Sequence, residues 1–213
     1  MDENLRLVMD RRVAKTIKAL EHNHMAGYYV RSQEELFALI DQLIADDRLI
    51  TAGGSMTLSE TGVTAHLKEK YRSIFADRAD CKTPKEIEEV YRKAYVSDTF
   101  FASTNAVTED GELYNIDGNG NRVSAMIFGP KQVILVVGTN KITADLDEAV
   151  KRLEKFACPA NTLRLGLATP CAESGECRHC HSPSRICCSY VRLAQQRKKD
   201  RIKVIFVDGS FGY

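Results

Sequence analysis

One stretch of the chain reads Leu49-Ile50-Thr51-Ala52-Gly53-Gly54-Ser55-Met56-Thr57. Its first four residues are apolar or β-branched, which predicts a buried strand, and the two glycines predict a tight turn into a helix. Glycine lets the backbone approach a ligand closely, and the free amides at a helix start attract anions. The stretch therefore predicts an anion site at residues 53–57. An ordinary turn, with the hydroxyls as helix caps, is the equally open alternative.

Strands alternate with helices along most of the chain. The longest apolar run, Val133-Ile134-Leu135-Val136-Val137, is typical of a strand covered on both faces of a sheet. Asp110-Gly111 and a glycine-rich turn at 117–121 predict a meander of hairpins between residues 99 and 128. A helix is expected from Tyr190 to Lys199. The alternation predicts a single α/β domain over residues 1–213, built as a three-layer α/β/α sandwich with a mostly parallel central sheet.

Ligands of such sheets bind outside the carboxyl ends of the strands. Residues 53–57, 103–105 and 138–141 each follow a predicted strand, so side chains from these three segments are candidates for one site. Glu60 and Asp117 are candidate acids or bases, and Lys141 is a candidate electrostatic partner. The plainer alternatives are a solvent-facing lysine and a turn-forming aspartate. The candidate ligand-binding residues are Gly53, Gly54, Ser55, Met56, Thr57, Asn105 and Asn140.

A cysteine-rich loop at 170–188 holds five of the 7 cysteines and two of the 5 histidines. Thiolates bind soft metals, and the close pair Cys177-x-x-Cys180 lets one loop offer two sulfurs to one centre. Cys171 and Cys187 supply a third and a fourth sulfur, and Cys188 is a spare or alternative ligand. The loop therefore predicts a zinc site or a [4Fe-4S] cluster, and its single regular pair favours the cluster slightly.

A disulfide knot, a redox disulfide and a set of inert thiols are the other interpretations of this loop. The N-terminus, Met1-Asp2-Glu3-Asn4, is charged and polar and does not resemble a signal peptide. We therefore expect a cytoplasmic protein, and disulfides are rare in the reducing cytosol. His179 and His181 are expected outside the set of direct ligands or on the surface.

The composition excludes several function classes. Hydrophobic residues make up 44% and charged residues 28% of the 213 residues, which is ordinary for a globular protein. The formal net charge of +1 gives no bias towards nucleic acid or an anionic membrane. No apolar run approaches the length that spans a bilayer. We therefore expect neither a nucleic-acid nor a membrane partner.

Several motifs resemble those of one protein family. The run Gly53-Gly54-Ser55-Met56-Thr57-Leu58-Ser59-Glu60-Thr61-Gly62 resembles the signature loop of the LUD-domain family of lactate-utilisation proteins, formerly DUF162. The segment from Thr104 to Val123, with Phe128-Gly129-Pro130 and Gly138-Thr139-Asn140-Lys141, is similar to the rest of that pattern. Pro170-Cys171, Cys177, Cys180 and Arg185-Ile186-Cys187 resemble a cysteine-bearing branch of the family.

The resemblance covers nearly the whole chain and implies a fold like that of glucosamine-6-phosphate deaminase, ribose-5-phosphate isomerase and the CoA transferases. In those relatives the first glycine–serine loop holds a phosphate or an acyl substrate. The catalytic glutamate of the CoA transferases and the acidic and lysine motifs of the isomerases are missing at matching positions, so their reactions do not transfer. The family also implies work with iron–sulfur partners in oxidising L-lactate to pyruvate.

Three hypotheses follow. The first is a metal- or iron–sulfur-bearing accessory of lactate or hydroxy-acid oxidation. The second is an enzyme acting on a small phosphorylated, acyl or CoA-linked substrate, with zinc only stabilising the cysteine loop. The third is a sensor that binds a small anionic metabolite without turning it over.

Overall fold

The computed structural model describes residues 2–213 and shows strands and helices alternating along the chain. The strands are β1 (Ala26–Val30), β2 (Ile50–Ala52), β3 (Phe75–Ala76), β4 (Thr99–Ala102), β5 (Ala106–Thr108), β6 (Leu113–Asp117), β7 (Gln132–Gly138), β8 (Ile142–Thr143), β9 (Ser189–Leu193) and β10 (Ile202–Val207). The α-helices are α1 (Glu3–His22), α2 (Gln33–Leu43), α3 (Met56–Glu60), α4 (Val63–Lys70), α5 (Pro84–Lys93), α6 (Asn121–Ile127), α7 (Leu146–Arg152), α8 (Cys158–Arg164) and α9 (Pro170–Ser174). A π-helical turn, Leu153–Ala157, joins α7 to α8.

Six strands form a central sheet in the order β1-β10-β7-β4-β2-β3, and every neighbouring pair in it is parallel. This confirms the predicted α/β class with a mostly parallel central sheet. Four further strands form a second sheet in the order β8-β5-β6-β9. The hairpin predicted at Asp110-Gly111 is the antiparallel pair β5–β6 of this second sheet.

Strand β7 explains how the central sheet is covered on both faces. Val133, Leu135 and Val137 point into an apolar core shared with α1, α6 and the second sheet. Ile134 and Val136 point into the opposite core, shared with α2, α3 and α4. All five side chains are fully buried, which accounts for the uninterrupted apolar run in the sequence. The sheet is therefore the middle layer between two helical layers, as in a three-layer sandwich.

A third, smaller apolar cluster lies beneath the segment that runs from α7 through the π-helical turn to α8. It contains Ala149, Leu153, Ala157 and Cys158, and the second sheet contributes Ala106. This packing fixes α8 against the second sheet, and the cysteine-rich loop follows it directly along the chain.

The predicted helix at Tyr190 to Lys199 is wrong, because Ser189–Leu193 forms β9 and pairs with β6 along its length. Val191 and Leu193 pack inwards, whereas Tyr190 and Arg192 face outwards, so the period is that of a strand. Arg192 pairs with Glu112 through contacts of 2.7 and 2.6 Å. The edge of β6 thus decides the conformation of this polar segment.

The meander of hairpins predicted between residues 99 and 128 is wrong in its last part, because Asn121–Ile127 is helical. Val123, Ala125 and Met126 are its buried residues, and Gly120 caps it in a left-handed conformation with φ of 79°. Burial against the main core therefore favours a short helix over a third hairpin strand here.

The longest helix, α1, runs from Glu3 to His22 and buries Val13, Thr16 and Leu20 on one face. Asp2 caps it by accepting hydrogen bonds from the amides of Asn4 and Leu5. No helix within residues 2–213 is both long enough and apolar enough to cross a membrane.

The turn between β5 and β6 docks onto the end of α1. Gly111 has φ of 76°, and a Cβ atom added there would lie 2.5 Å from backbone atoms of Ala19 and Leu20. The Asn23 side chain donates hydrogen bonds to the carbonyls of Asp110 and Gly111, at 2.8 and 3.0 Å. The turn can therefore carry no side chain at Gly111 without displacing α1.

We expect Gly111→Ala to lower the free energy of unfolding by about 3 kcal/mol, because left-handed strain adds to overlap with an immobile backbone. Gly166→Ala is the matched control: Gly166 has φ of 63° and nothing within 4 Å of an added Cβ. The control is expected to cost about 1 kcal/mol from strain alone. Urea unfolding of both variants measures the difference, and equal losses would contradict the docking argument.

Candidate functional site

A cavity of about 270 Å³ opens where the central strands end. Gly54 and Ser55 follow β2, Ser103 and Asn105 follow β4, and Lys141 follows β7; all of them line the cavity. Because the sheet is parallel, these three loops meet at one edge, where ligands of open α/β sheets bind. The volume is close to the lower end of the range of small-ligand sites.

Lys141 is buried at this edge, with 2% of its surface exposed. Its Nζ donates to the hydroxyl oxygens of Thr57 at 2.8 Å and Ser103 at 3.3 Å. Burial, and then the nearby charges of Arg152 and Arg122, lower the pKa of Lys141 from 10.5 to about 7. An ammonium group has three donors, so with these two acceptors one donor of Lys141 remains for a ligand.

Arg122 is held in the cavity wall by hydrogen bonds from its guanidinium. It donates to the carbonyls of Ser103 at 3.1 Å and Ile116 at 2.9 Å, and to the side chains of Asn115 and Asn105 at 2.6 and 3.1 Å. The Arg122 Nε lies 3.3 Å from a carboxylate oxygen of Asp117. These partners fix the guanidinium, and its charge is partly balanced by Asp117.

Positive side chains outnumber negative ones around the cavity. Arg78 and Arg164 line it together with Arg122 and Lys141, whereas Asp117 is the one carboxylate among the described residues that line it. Arg78 donates to the Tyr91 hydroxyl at 2.9 Å. Since Asp117 already pairs with Arg122, the cavity keeps an excess of positive charge for an anionic ligand.

The glycine-rich loop leaves room for neighbouring side chains, and the helix that follows it is short. A Cβ atom on Gly54 would lie 2.1 Å from the Arg78 guanidinium, and one on Gly53 would lie 3.2 Å from the Phe100 ring. The following helix, α3, has only 5 residues, and the Ser55 hydroxyl caps it by accepting from the amide of Leu58. Ser55 therefore acts as a helix cap, as the alternative interpretation of this stretch predicted. Gly54 leaves room for the guanidinium of Arg78.

Not every predicted site residue lines the cavity. Gly54, Ser55, Met56, Asn105, Asp117 and Lys141 do. Thr57 reaches the site through Lys141, and its hydroxyl donates to the Phe211 carbonyl. Glu60 accepts a hydrogen bond from the Gly212 amide at 2.6 Å, and Asn140 donates to the Gly212 carbonyl at 3.2 Å. Glu60 and Asn140 thus hold the segment at 211–213 beside the cavity.

All seven cysteines are free thiols. Cys171 is buried, Cys177, Cys180 and Cys187 are half-buried, and Cys188 is exposed. Within residues 2–213, no three His, Cys, Asp or Glu side chains already lie in metal-ligating positions. His179 is exposed and its ring lies 3.6 Å from Glu154. The predicted ligands therefore share one loop without forming a closed site.

Polar groups contact the sulfur atoms of two of the predicted ligands. The Thr169 hydroxyl lies 3.3 Å from the sulfur of Cys171, and the His179 amide donates to the sulfur of Cys177 at 3.4 Å. Thr162 also contacts Cys171 at 3.4 Å but donates its proton to the Pro159 carbonyl. Hydrogen bonds to sulfur of this kind tune metal-bound thiolates.

Cys187 packs against the cluster that contains Cys158, and both line the same cavity as Lys141. The neighbouring Cys158 thiol, aided by the charge of Arg185, lowers the pKa of Cys187 to about 7. The same pairing and burial, together with the charges of Cys177 and Cys171, raise the pKa of Cys158.

The comparison with known families decides the identity of the fold. The model of the LUD domain family matches residues 13–207. The chain belongs to the LUD domain family. The crystal structure of a DUF162 family protein from Deinococcus radiodurans is similar, with a TM-score of 0.53 and 13% identity over 96% of this chain and 98% of that chain. At that identity the likeness shows the fold alone. No protein of curated function matches the chain.

Sequence reasoning missed several residues that line the cavity of this LUD domain, namely Cys158, Arg78, Arg122, Arg164 and Tyr213. Arg122 stands directly after the glycine-rich turn, which is a signal for a site residue. Cys158 stands 13 positions before Cys171 and precedes a proline. Cys158 could not be assigned to the site from the sequence, because α8 and the cysteine-rich loop come together only in the folded chain.

The depressed pKa of Lys141 predicts a pH-dependent stability. The folded state loses the proton near pH 7 and the unfolded state near pH 10.5, so between these values the unfolded state binds more protons. Wild-type stability should therefore rise relative to Lys141→Met as the pH rises through this window, by up to about 1.4 kcal/mol per pH unit. Below pH 7 the difference should be constant.

Urea unfolding of both chains at a series of pH values tests this, because the other titrating groups cancel in the difference between the two proteins. A difference that stays flat from pH 7 to 10 would show that Lys141 keeps its ordinary pKa in the folded state.

Proposed function

We propose that this LUD domain binds a small metabolite with a carboxylate or phosphate group beside a metal centre held by its cysteines. In this proposal it is an accessory of lactate or hydroxy-acid oxidation that works with an iron–sulfur redox partner. The observation that carries the proposal is the shared cavity: Cys158 and Cys187 line it together with Lys141 and Arg122.

The charges around the cavity support an anionic ligand. Lys141 has a free donor and Arg78 reaches the cavity beside Gly54, whereas Arg122 is already held by the chain. A carboxylate or phosphate would place a negative charge beside the buried amine of Lys141. A partly enclosed site strengthens such a pairing of opposite charges. L-lactate and pyruvate carry a carboxylate, which agrees with the proposed role.

The donor chemistry of the cysteine-rich loop supports the metal. The expected ligands are Cys171, Cys177, Cys180 and Cys187, with Cys188 as an alternative, and the metal is a [4Fe-4S] cluster or zinc. The Thr169 hydroxyl lies beside the sulfur of Cys171, and the His179 amide donates to the sulfur of Cys177; both contacts suit thiolates at these positions. A cluster would supply one-electron transfer, whereas zinc would stabilise the loop. Binding would have to draw the sulfur atoms together.

A reducing cytoplasm is part of the proposal, because the ligands must remain thiols.

A second candidate function is an enzyme acting on a phosphorylated, acyl or CoA-linked substrate. The observation that favours it is Lys141, whose pKa of about 7 suits proton transfer near neutral pH. Asp117 also lines the cavity, but its carboxylate already pairs with Arg122. Turnover of a bound ligand would favour the enzyme, and binding without turnover would favour the accessory or a sensor.

Anion binding should take up a proton. Free Lys141 has a pKa of about 7, and a bound anion favours its charged form. Above pH 7 we expect the affinity to fall by up to about tenfold per pH unit. Calorimetric titration with L-lactate, pyruvate, inorganic phosphate, glucosamine 6-phosphate and acetyl-CoA, in buffers of different ionisation enthalpy, measures both affinity and proton uptake.

Two variants sharpen this titration. Lys141→Met should weaken binding by about 10- to 100-fold and remove the proton uptake, because the charged donor is lost. Lys199→Met removes the same charge from an exposed position and should leave both unchanged. Absence of binding across the panel, or equal binding by wild type and Lys141→Met, would refute the anion site.

The metal is tested by purification without oxygen, followed by metal analysis and a visible spectrum. About four irons per chain with broad visible absorption indicate a [4Fe-4S] cluster, and one zinc without colour indicates a structural site. Cys177→Ser should lower the metal content, and Cys81→Ser, outside the loop, should not. A wild-type chain free of iron and zinc, or Cys177→Ser with unchanged content, would refute the assignment.

A further inference from the structure

We infer that Cys158, on α8 outside the cysteine-rich loop, is the fourth thiolate of the metal centre and that Cys180 is not a ligand. The set would then be Cys158, Cys171, Cys177 and Cys187. The inference rests on the metal site of the proposed function and changes its composition.

The cysteine-rich loop is attached along one face of a helix. Residues 154, 158 and 162 follow one another at intervals of four and therefore lie on the same face. The Cys177 amide donates to the carbonyl of Glu154 at 2.9 Å. The Cys171 sulfur lies 3.4 Å from the Thr162 hydroxyl. The attachments of Cys177 and Cys171 thus flank Cys158, one helical turn away on each side.

Cys187 completes this arrangement at the central position. It packs against the apolar cluster that contains Cys158, and both residues line the Lys141 cavity. Three cysteines from the loop therefore converge on the helical face whose middle residue is itself a cysteine. A single metal or cluster bound there would lie in the wall of the cavity, beside the proposed anion.

The sequence of α8 makes this attachment possible. The Cys158 amide donates to the Leu153 carbonyl, five residues back, in the π-helical pattern. The next donor in that pattern would serve the Glu154 carbonyl, but it belongs to Pro159, which has no N–H. The Glu154 carbonyl is thereby left for the amide of Cys177. Single π-helical turns of this kind are frequent at functional sites.

Cys180 and Cys188, the two remaining cysteines of the loop, lie beside Arg185. Arg185 also donates to the Cys187 carbonyl at 2.8 Å, so what sets Cys187 apart is its packing against the cluster that contains Cys158. The Cys180 carbonyl accepts a hydrogen bond from the Arg185 guanidinium. The Cys188 thiol donates to the Arg185 carbonyl at 3.7 Å, and Cys188 is exposed. Cys187, and not Cys180, is among the described residues that pack against the Cys158 cluster, so the regular spacing of Cys177 and Cys180 does not by itself make Cys180 a ligand.

The test compares Cys158→Ser with Cys180→Ser in the full chain, purified without oxygen and reconstituted with iron and sulfide, or with zinc. Metal and sulfide per chain are measured together with the electron paramagnetic resonance of the reduced protein and with circular dichroism. We expect Cys158→Ser to lose most of its metal or to show altered resonance, while Cys180→Ser keeps the wild-type content and signal.

A labelling experiment keeps the inference testable if the Cys158→Ser substitution, at a buried position, prevents folding. In metal-loaded wild type, iodoacetamide should modify Cys180 and Cys188, whereas metal should protect Cys177 and Cys187. Cys177, Cys180 and Cys187 are all half-buried, so a difference among them reports ligation rather than exposure. Mass spectrometry of peptides, with and without metal, gives the extent of modification at each position.

The outcomes separate the two proposals. Wild type without metal under these conditions refutes the metal centre itself and the inference with it. Metal in wild type, retained by Cys158→Ser and lost by Cys180→Ser, refutes only the inference and leaves the proposed function intact. Protection of Cys180 by metal, or a Cys158–Cys187 disulfide in a chain that takes up no metal, would also overturn it.

Discussion

The parallel direction of the central strands is the constraint on which the site depends. Because β2, β4 and β7 are neighbours or near neighbours and point the same way, the segments that follow them are brought to one edge. Those segments are short, so their hydroxyl and amide groups stay close to the strand ends. The amine of Lys141 can therefore reach Thr57 after β2 and Ser103 after β4 at the same time.

Positive charges are buried close together at this edge, and an anionic ligand can relieve their repulsion. Lys141 is buried near the guanidinium groups of Arg122 and Arg152, and its depressed pKa shows the cost of keeping the charged form there. Burial also lowers the pKa of Arg122, but the charge of Asp117 counteracts this, and four hydrogen-bond acceptors hold its guanidinium. The two cations thus play different parts: Arg122 holds the loops together, and Lys141 remains responsive to an added negative charge.

The sequence was informative wherever burial imposes a period. The run at 133–137 is typical of a strand covered on both faces, and its residues do alternate between two cores. Segments decided by a partner were not predictable in the same way. Ser189–Leu193 is a strand because the edge of β6 offers hydrogen bonds, and Asn121–Ile127 is a helix because of burial against the core. Neither partner can be seen from the local sequence.

The residues of the candidate site differ in the same way. Ser55 and Lys141 could be found from the strand pattern alone, whereas Cys158 and Arg78 reach the cavity only through tertiary packing.

The segment from Arg152 to Thr162 connects the two halves of the site. At one end, Arg152 donates to the carbonyls of Asn140 at 3.3 Å and Asn105 at 2.8 Å, which belong to the loops around Lys141. At the other end, the Glu154 carbonyl and the Thr162 hydroxyl hold Cys177 and Cys171. This segment is helical and packs on the second sheet. One continuous stretch of helix therefore contacts both the cysteine-rich loop and the loops around Lys141, and its packing fixes the positions of both halves of the site relative to each other.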